Sequence, residues 1–312
     1  MNLKPFAIAI HGGAGTILKS LMTAEKEANY KAALQTALDL GYEALKEGKT
    51  AIDAVEIAVK SLEDSPLFNA GKGAVFTNAG THEMDASIMD GKSLEAGAVS
   101  SVSGVKNPVA LSRLVMEKSG HVFLTGAGAE EFAKSQGCAF EPSEYFHDDF
   151  RYQQWQEVKD SDSFQLDHAK KKEQKFGTVG AVALDQHGNI AAATSTGGMT
   201  NKKFGRVGDS PMIGAGNYAN NNTCAVSCTG SGEYFIRGVV AYDVSCLIEH
   251  KNMPLHEACE EVIQKRLLNI GGDGGLIAID TKGNISLSFN TEGMYRGQKS
   301  SNGTNEVLIY KD

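Results

Sequence analysis

A charged run from Lys170 to Lys175 ends at Gly177-Thr178, where an apolar strand pattern begins and continues to Asp185. Opening the peptide bond between Gly177 and Thr178 would put a secondary hydroxyl and a free α-amine on one residue. A threonine that carries its own base is one way to activate a hydroxyl nucleophile. The plainer reading is that threonine favours strands and Thr178 only begins one. Three other stretches bear on the choice. Thr194-Ser-Thr-Gly-Gly198 ends the strand expected to pair with the Thr178 strand, so its hydroxyls can reach that strand's first residue. Gly205-Arg-Val-Gly-Asp-Ser-Pro211 sets Arg206 and Asp209 three apart in a loop bounded by glycine and proline. A guanidinium for a carboxylate and a carboxylate for an ammonium would hold an amino-acid zwitterion. Thr229-Gly-Ser-Gly232 ends a strand just ahead of a helix, where N–H groups and hydroxyls can face a developing oxyanion. Taken singly, these three reduce to an N-cap, a surface ion pair worth about 0–1 kcal/mol and a helix cap.

Together they form a specific pattern. Gly177-Thr178-Val-Gly, Thr194-Ser-Thr-Gly-Gly-Met-Thr-Asn-Lys, Gly205-Arg-Val-Gly-Asp-Ser-Pro and Cys228-Thr-Gly-Ser-Gly-Glu resemble the plant-type asparaginases, or isoaspartyl peptidases, of the N-terminal-nucleophile hydrolases. His11-Gly-Gly-Ala-Gly and Pro66-Leu-Phe-Asn-Ala-Gly resemble that family's N-terminal half. The resemblance covers nearly the whole chain and is weakest from Phe140 to Lys175.

The resemblance implies an α+β fold, a four-layer αββα sandwich, and self-cleavage between Gly177 and Thr178. Residues 1–177 would become one subunit, with 158–177 a mobile linker, and residues 178–312 the other, both within one domain. Thr178 would be the nucleophile and Thr196 would tune its hydroxyl. Arg206 would grip the substrate α-carboxylate and Asp209 its α-ammonium. Thr229 and Gly230 would form the oxyanion hole, with Gly232 nearby. No cofactor is implied for catalysis. A structural sodium ion is implied at the main-chain carbonyls of Leu62, Glu63, Ser65, Phe68, Ala70 and Lys72, where the side chains of Ser65 and Lys72 depart from the family pattern. The implied substrates are asparagine and β-aspartyl dipeptides, cleaved to release aspartate, by a dimer of two-chain protomers. Two alternatives stand beside this. One is glycosylasparaginase, the sugar–asparagine hydrolase, against which the absence of a visible signal peptide counts. The other is a catalytically silent amino-acid-binding protein, against which intact Thr178, Thr196 and Thr229 count.

Composition narrows the field. At 312 residues, with 41% hydrophobic and 22% charged residues, the chain reads as a globular protein of one layered domain or two intimate halves. A net charge of −8 argues against nucleic acid as a partner. No stretch is apolar enough to span a membrane, and Phe6 to Ile10 reads as a core strand, so a cytoplasmic protein is expected. The five cysteines lack framework spacing, and the eight histidines form no cluster, which argues against disulfides and transition-metal sites.

The elements that must position these residues follow from periodicity. Tyr30, Leu34, Ala37, Leu38, Gly41 and Leu45 predict a helix from Thr23 to Lys46. Thr50 with Asp53 forms a capping box ahead of a second helix, whose buried face is Val55, Ala58, Val59 and Leu62. Residues Leu62 to Gly73 read as an ordered irregular turn able to present carbonyls to a hard cation. Strands are expected at Val75–Phe76, Glu83–Met89 and Gly97–Val102. Helices are expected from Asn107 to Met116, after Gly128, and from Arg151 to Val158. After the Lys159–Gln174 linker come two hairpins with one turn chemistry, Val-Ala-Leu-Asp185-Gln-His-Gly-Asn-Ile and Ile-Ala-Ile-Asp280-Thr-Lys-Gly-Asn-Ile. Between them a strand at Cys224–Thr229 and helices at Gly232–His250 and Leu255–Leu268 complete two packed sheets with helices outside. His11, in its Gly-rich turn, reads as a hydrogen-bonded structural histidine.

Overall fold

A computed structural model describes residues 5–160 and 177–311. The expected linker, 158–177, therefore lies for the most part outside the described residues. Strand β1 (Ala7–Gly15) is followed by helices α1 (Ala24–Lys46) and α2 (Ala51–Glu63). Strands β2 (Met84–Asp90) and β3 (Ala96–Val102) come next, then α3 (Pro108–Lys118), β4 (Phe123–Thr125), α4 (Gly126–Ser135) and α5 (Asp149–Val158). Past residue 177 the chain forms β5 (Val179–Leu184), β6 (Ile190–Thr196), β7 (Asn217–Ala219) and β8 (Ala225–Gly230). Helices α6 (Gly232–Gly238), α7 (Val240–Lys251) and α8 (Leu255–Glu260) follow, the last running on as a π-helical segment, Glu261–Leu267. Strands β9 (Gly274–Ile279), β10 (Ile285–Phe289), β11 (Gly293–Ser300) and β12 (Asn305–Tyr310) end the chain.

These strands make two sheets. The larger has the order β12-β11-β1-β5-β6-β2-β3-β4, the smaller β10-β9-β8-β7. Strand periodicity fixes what lies between them. In β5, Ala181 and Ala183 pack under α1 and α2, whereas Val182 and Leu184 point to the second sheet. Ala191 and Ala193 in β6 face the helices too, while Ile190 and Ala192 face inward. Helices α6, α7 and α8 cover the outer face of the small sheet through Val226, Cys228, Val244 and Ile263. The expected four-layer αββα sandwich is the observed fold.

Local chemistry explains the boundaries. The Thr50 side chain accepts from Asp53 N–H while the Asp53 carboxylate accepts from Thr50 N–H, completing the capping box. The two hairpins share their turn: Asp185 Oδ1 accepts from His187 and Asn189, and Asp280 Oδ1 accepts from Lys282 and Asn284.

Three expectations need correction. Val75 and Phe76 form no strand, and the segment makes only an isolated bridge from Thr77 to Lys202. Side chains take the groups that a ladder would use. Asn69 Oδ1 accepts from Val75 N–H, and the His82 ring bonds the Ala74 and Val75 carbonyls. The single helix expected from Gly232 to His250 is broken at Val239, which is left-handed at φ 48°. There the Gly214 and Ala215 carbonyls accept from Tyr242 and Ala241 and redirect the chain. The helix expected from Leu255 to Leu268 changes to π form where Asn290 Nδ2 donates to the Ile263 carbonyl.

Gly180 lies on the inward face of β5. An added Cβ there would overlap Ser227 Oγ and approach His11 Nε2 to 2.5 Å. Gly180→Ala should therefore lower stability by about 2 kcal/mol through overpacking. A fall in the urea midpoint at unchanged slope is the expected reading, and an unchanged midpoint would contradict this packing.

Candidate active site

The inward faces of β5, β6 and β8 gather the predicted residues between the sheets. Val179 of β5 pairs with Ser195 of β6, which sets Thr178 beside the Thr194–Thr196 run. Alternation sends Thr194 inward and Ser195 outward, where its hydroxyl donates to Glu63 Oε1 at 2.6 Å. Thr178 precedes β5 by one residue and is buried, at 7% exposure. Its Oγ1 lies 3.2 Å from Ser210 Oγ, and its carbonyl accepts from His11 Nδ1 at 2.9 Å. Burial pushes the His11 pKa down to about 3 despite that bond, so the ring is neutral at working pH.

The Gly177–Thr178 bond is held at close quarters. A Cβ on Gly177 would come within 2.8 Å of Thr229 Oγ1. A Cβ on Gly13, whose φ is 115°, would meet Gly177 N at 2.5 Å. Only glycine admits this approach of two backbones. Thr229 Oγ1 already accepts from Ala14 N–H at 3.3 Å, which leaves its own proton to donate beside Gly177. Gly230 follows with φ 155°, packed on Asp273 and Phe235. Thr196 Oγ1 accepts from Gly198 N–H at 3.0 Å and so shapes the turn after β6. Asn69 holds the same turn, donating to the Gly198 carbonyl at 2.7 Å while its own carbonyl accepts from Gly197 N–H.

Arg206 and Asp209 face Gly232 together. A Cβ on Gly232 would lie 2.8 Å from Asp209 Oδ1 and 3.1 Å from Arg206 Nη2. Asp209 is buried, and its Oδ2 has no hydrogen-bond partner among the described residues. Burial pushes its pKa up to about 7, against the pull of the Arg206 charge. Arg206 donates from Nε and Nη2 to Glu233 at 2.8 and 3.0 Å. Burial opposes ionisation of Glu233, yet those bonds and the Arg206 charge hold its carboxyl below the usual range. Arg206 is thus ion-paired with Glu233, while Asp209 turns Oδ1 toward Gly232 and its unpartnered Oδ2 toward Gly216. Ser210, Glu233 and Asn69 were not singled out by sequence reasoning. Ser210 follows Asp209 directly, so one loop sets both the open carboxylate and the hydroxyl that touches Thr178.

Among the described residues no group of three or more His, Cys, Asp or Glu side chains could hold a metal ion. The Leu62–Lys72 loop is of a different kind. Its backbone packs on itself so closely that a Cβ on Gly71 would overlap the Glu63 oxygen and one on Gly73 the Phe68 oxygen. The Lys72 ammonium sits 5.2 Å from the centre of the Tyr145 ring, so its charge has a partner of its own. Main-chain carbonyl oxygens are the kind of ligand that a hard cation takes.

Comparisons with known proteins agree over nearly the whole chain. A family model described as Asparaginase matches residues 4–309. The isoaspartyl peptidase of Escherichia coli K12 is 52% identical over 308 residues, covering 98% of this chain and 96% of the relative. The human isoaspartyl peptidase/L-asparaginase is 44% identical over 292 residues, covering 94% and 92%. The plant-type L-asparaginase of Pyrococcus abyssi is 43% identical over 299 residues, covering 92% and 94%.

Proposed function

The chain belongs to the plant-type L-asparaginase and isoaspartyl peptidase family of N-terminal-nucleophile hydrolases, and from that premise we propose the function and the roles of its residues. It is an amidohydrolase that cuts itself between Gly177 and Thr178, then hydrolyses β-aspartyl dipeptides and asparagine to aspartate. The observation that carries this reading is the buried Asp209 carboxylate with one open oxygen, next in sequence to the Ser210 hydroxyl on Thr178 Oγ1.

In the uncut chain Thr178 Oγ attacks the Gly177 carbonyl carbon. The C–N bond breaks, the proton passes to the departing nitrogen, and an ester links Gly177 to the threonine side chain. Water hydrolyses that ester, leaving a Gly177 carboxylate and a free Thr178 amine. The products are residues 1–177 and 178–312, held together by the shared sheets. In turnover the amine takes the proton from Oγ, which attacks the side-chain carbonyl of the substrate. The oxyanion rests against the Thr229 hydroxyl and Gly230 N–H. Ammonia or an amino acid leaves with the proton, and water releases aspartate from the β-aspartyl ester. Ser210 and Thr196 orient the nucleophile and its turn. Arg206 takes the α-carboxylate with the donors that Glu233 leaves open, Asp209 takes the α-ammonium, and Gly232 lets both approach.

The carbonyls of Leu62, Glu63, Ser65, Phe68, Ala70 and Lys72 would hold a sodium ion, which would supply positive charge to this loop. No step of the reaction runs through it. We read the assembly as a dimer of two-chain protomers. Among the described residues no helix is long and apolar enough to cross a membrane, and the five free thiols fit a reducing compartment, so we place the protein in the cytoplasm.

The clamp defines substrate scope, and scope tests the reading. A β-aspartyl dipeptide should turn over, whereas its N-acetylated form should lose about 100-fold or more in kcat/KM because Asp209 has no ammonium to pair. An α-linked aspartyl dipeptide should also fail, since its scissile carbonyl lies on the wrong carbon. Comparable turnover of either would remove the zwitterion clamp.

A further inference from the structure

We propose that His11 is a positioning residue for the nucleophile, holding the Thr178 carbonyl so that the threonine keeps its orientation after the Gly177–Thr178 bond opens. This rests on the reading of Thr178 as the nucleophile. The backbone shows why a side chain is needed there. The β1–β5 ladder runs from Ala7–Leu184 to His11–Gly180 and stops. Strand β1 then shifts register between His11 and Gly13 in its pairing with β11. Just past that last pair, the Thr178 carbonyl takes the His11 ring at 2.9 Å. Once the bond to Gly177 is cut, Thr178 is held covalently only through its own carbonyl carbon. The torsion about Cα–C, which places the amine and the side chain together relative to the carbonyl and the rest of the site, then depends on what the carbonyl bonds.

The ring is itself held by a chain of buried hydrogen bonds. Asn217 Nδ2 donates to the Ser87 carbonyl at 3.2 Å, which fixes the amide, and to Thr194 Oγ1 at 3.3 Å. Thr194 Oγ1 and Ser227 Oγ are 2.7 Å apart, and Ser227 Oγ is 2.9 Å from His11 Nε2. A carbonyl can only accept, so His11 carries its proton on Nδ1 and donates it to Thr178. Nε2 must then accept, so Ser227 donates to it, and the Thr194 proton lies between two acceptors, Ser227 Oγ at 2.7 Å and the Gly216 carbonyl at 3.2 Å. The direction is thus set at His11 and Ser227, the two groups nearest Thr178. All four side chains are buried, with no exposed member to exchange with solvent. The chain ties β7, β6 and β8 of both sheets to β1 and the start of β5. Gly180 makes room for it, since any larger residue would displace the Ser227 hydroxyl and the ring. A buried hydrogen-bond network of this kind rigidifies what it holds, although Asn217 Oδ1 is left without a partner among the described residues.

The test is kcat per matured site in His11→Phe, with the free Thr178 N-terminus counted by mass spectrometry. Phenylalanine keeps the ring and removes both hydrogen bonds. We expect kcat to fall about 100-fold while KM stays within about threefold, because misplacement of a reacting group acts on the chemical step. His11→Asn carries an N–H donor at the branch point of Nδ1 and should recover about tenfold of that loss. Ser227→Ala leaves the ring but frees Nε2, and should lower kcat about tenfold at unchanged KM. A kcat per matured site within about twofold of wild type in His11→Phe overturns the assignment. Where that variant does not fold or mature, the same result in Ser227→Ala overturns it. A loss carried by KM alone, or no recovery with asparagine, also does so. Thr178→Ala run in parallel separates the two claims. Turnover in that variant would sink the nucleophile itself, whereas an inactive Thr178→Ala beside a fully active His11→Phe sinks only the role of His11.

Discussion

Thr178→Ala should leave one uncut polypeptide of 312 residues with hydrolysis reduced on the order of 10⁴-fold or more, because both reactions use the same oxygen. The hydroxyl that would attack Gly177 is gone, so no α-amine is released to act as base. Stability should change little. The lost contact is one hydroxyl pair with Ser210, worth about 1 kcal/mol, so an inactive but folded protein is the expected product. Thr178→Ser keeps the hydroxyl and loses the methyl that restricts χ1, and it should cleave and turn over about tenfold more slowly. Electrophoresis and a β-aspartyl dipeptide assay read both variants. Wild-type activity in a folded Thr178→Ala chain would exclude Thr178 as the nucleophile.

Arg206→Ala should raise KM for asparagine about 100-fold, more than the loss of one substrate contact alone requires. Two further effects add to it. Glu233 loses its bidentate partner and leaves a bare carboxylate where the substrate carboxylate must sit. Asp209 loses the positive charge that opposes its burial, so its pKa rises beyond about 7 and less of it is ionised at neutral pH. Self-cleavage should survive, since no free carboxylate enters that step. The sign of the pH effect is fixed. In the empty wild-type site Asp209 becomes ionised as pH rises through about 7, and only the carboxylate binds an ammonium. KM should therefore fall as pH rises through that range. In Arg206→Ala the fall should move to higher pH, and in Asp209→Asn this limb should vanish with KM high throughout. Aspartate binding to Arg206→Ala as tight as to wild type would remove Arg206 from the clamp.

Much of the fold was legible because local signals and burial agree. The capping box at Thr50 and Asp53 forms as its spacing predicts, and Leu34, Leu38 and Leu45 are buried as their period requires. The matching Asp185 and Asp280 turns follow from an aspartate two and four residues ahead of two N–H groups. What escaped depends on partners distant in sequence. Val75–Phe76 is strand-like in composition, but Asn69 and His82 take its backbone groups. Strand β11 carries Gly293, Arg296, Gly297, Gln298 and Lys299, and this polar content hides the strand that β1 stabilises by pairing.

The site divides in the same way. Thr178, Thr229, Arg206 and Asp209 stood out through residue type beside a turn or strand end. Ser210 looked like part of a turn, and only the fold sets its hydroxyl 3.2 Å from Thr178 Oγ1. Glu233 lies 27 residues after Arg206, and nothing local in the sequence ties the two together. His11 was read as a hydrogen-bonded structural residue, and so it is. The sequence does not disclose that the group it bonds is the carbonyl of Thr178.

Intact-mass spectrometry of the purified wild-type chain, paired with its rate of asparagine hydrolysis at successive times, bears most directly on the self-cleavage mechanism. Two polypeptides of 177 and 135 residues, the second beginning at Thr178, should appear in step with activity. A full-length, uncut chain that hydrolyses asparagine would contradict it.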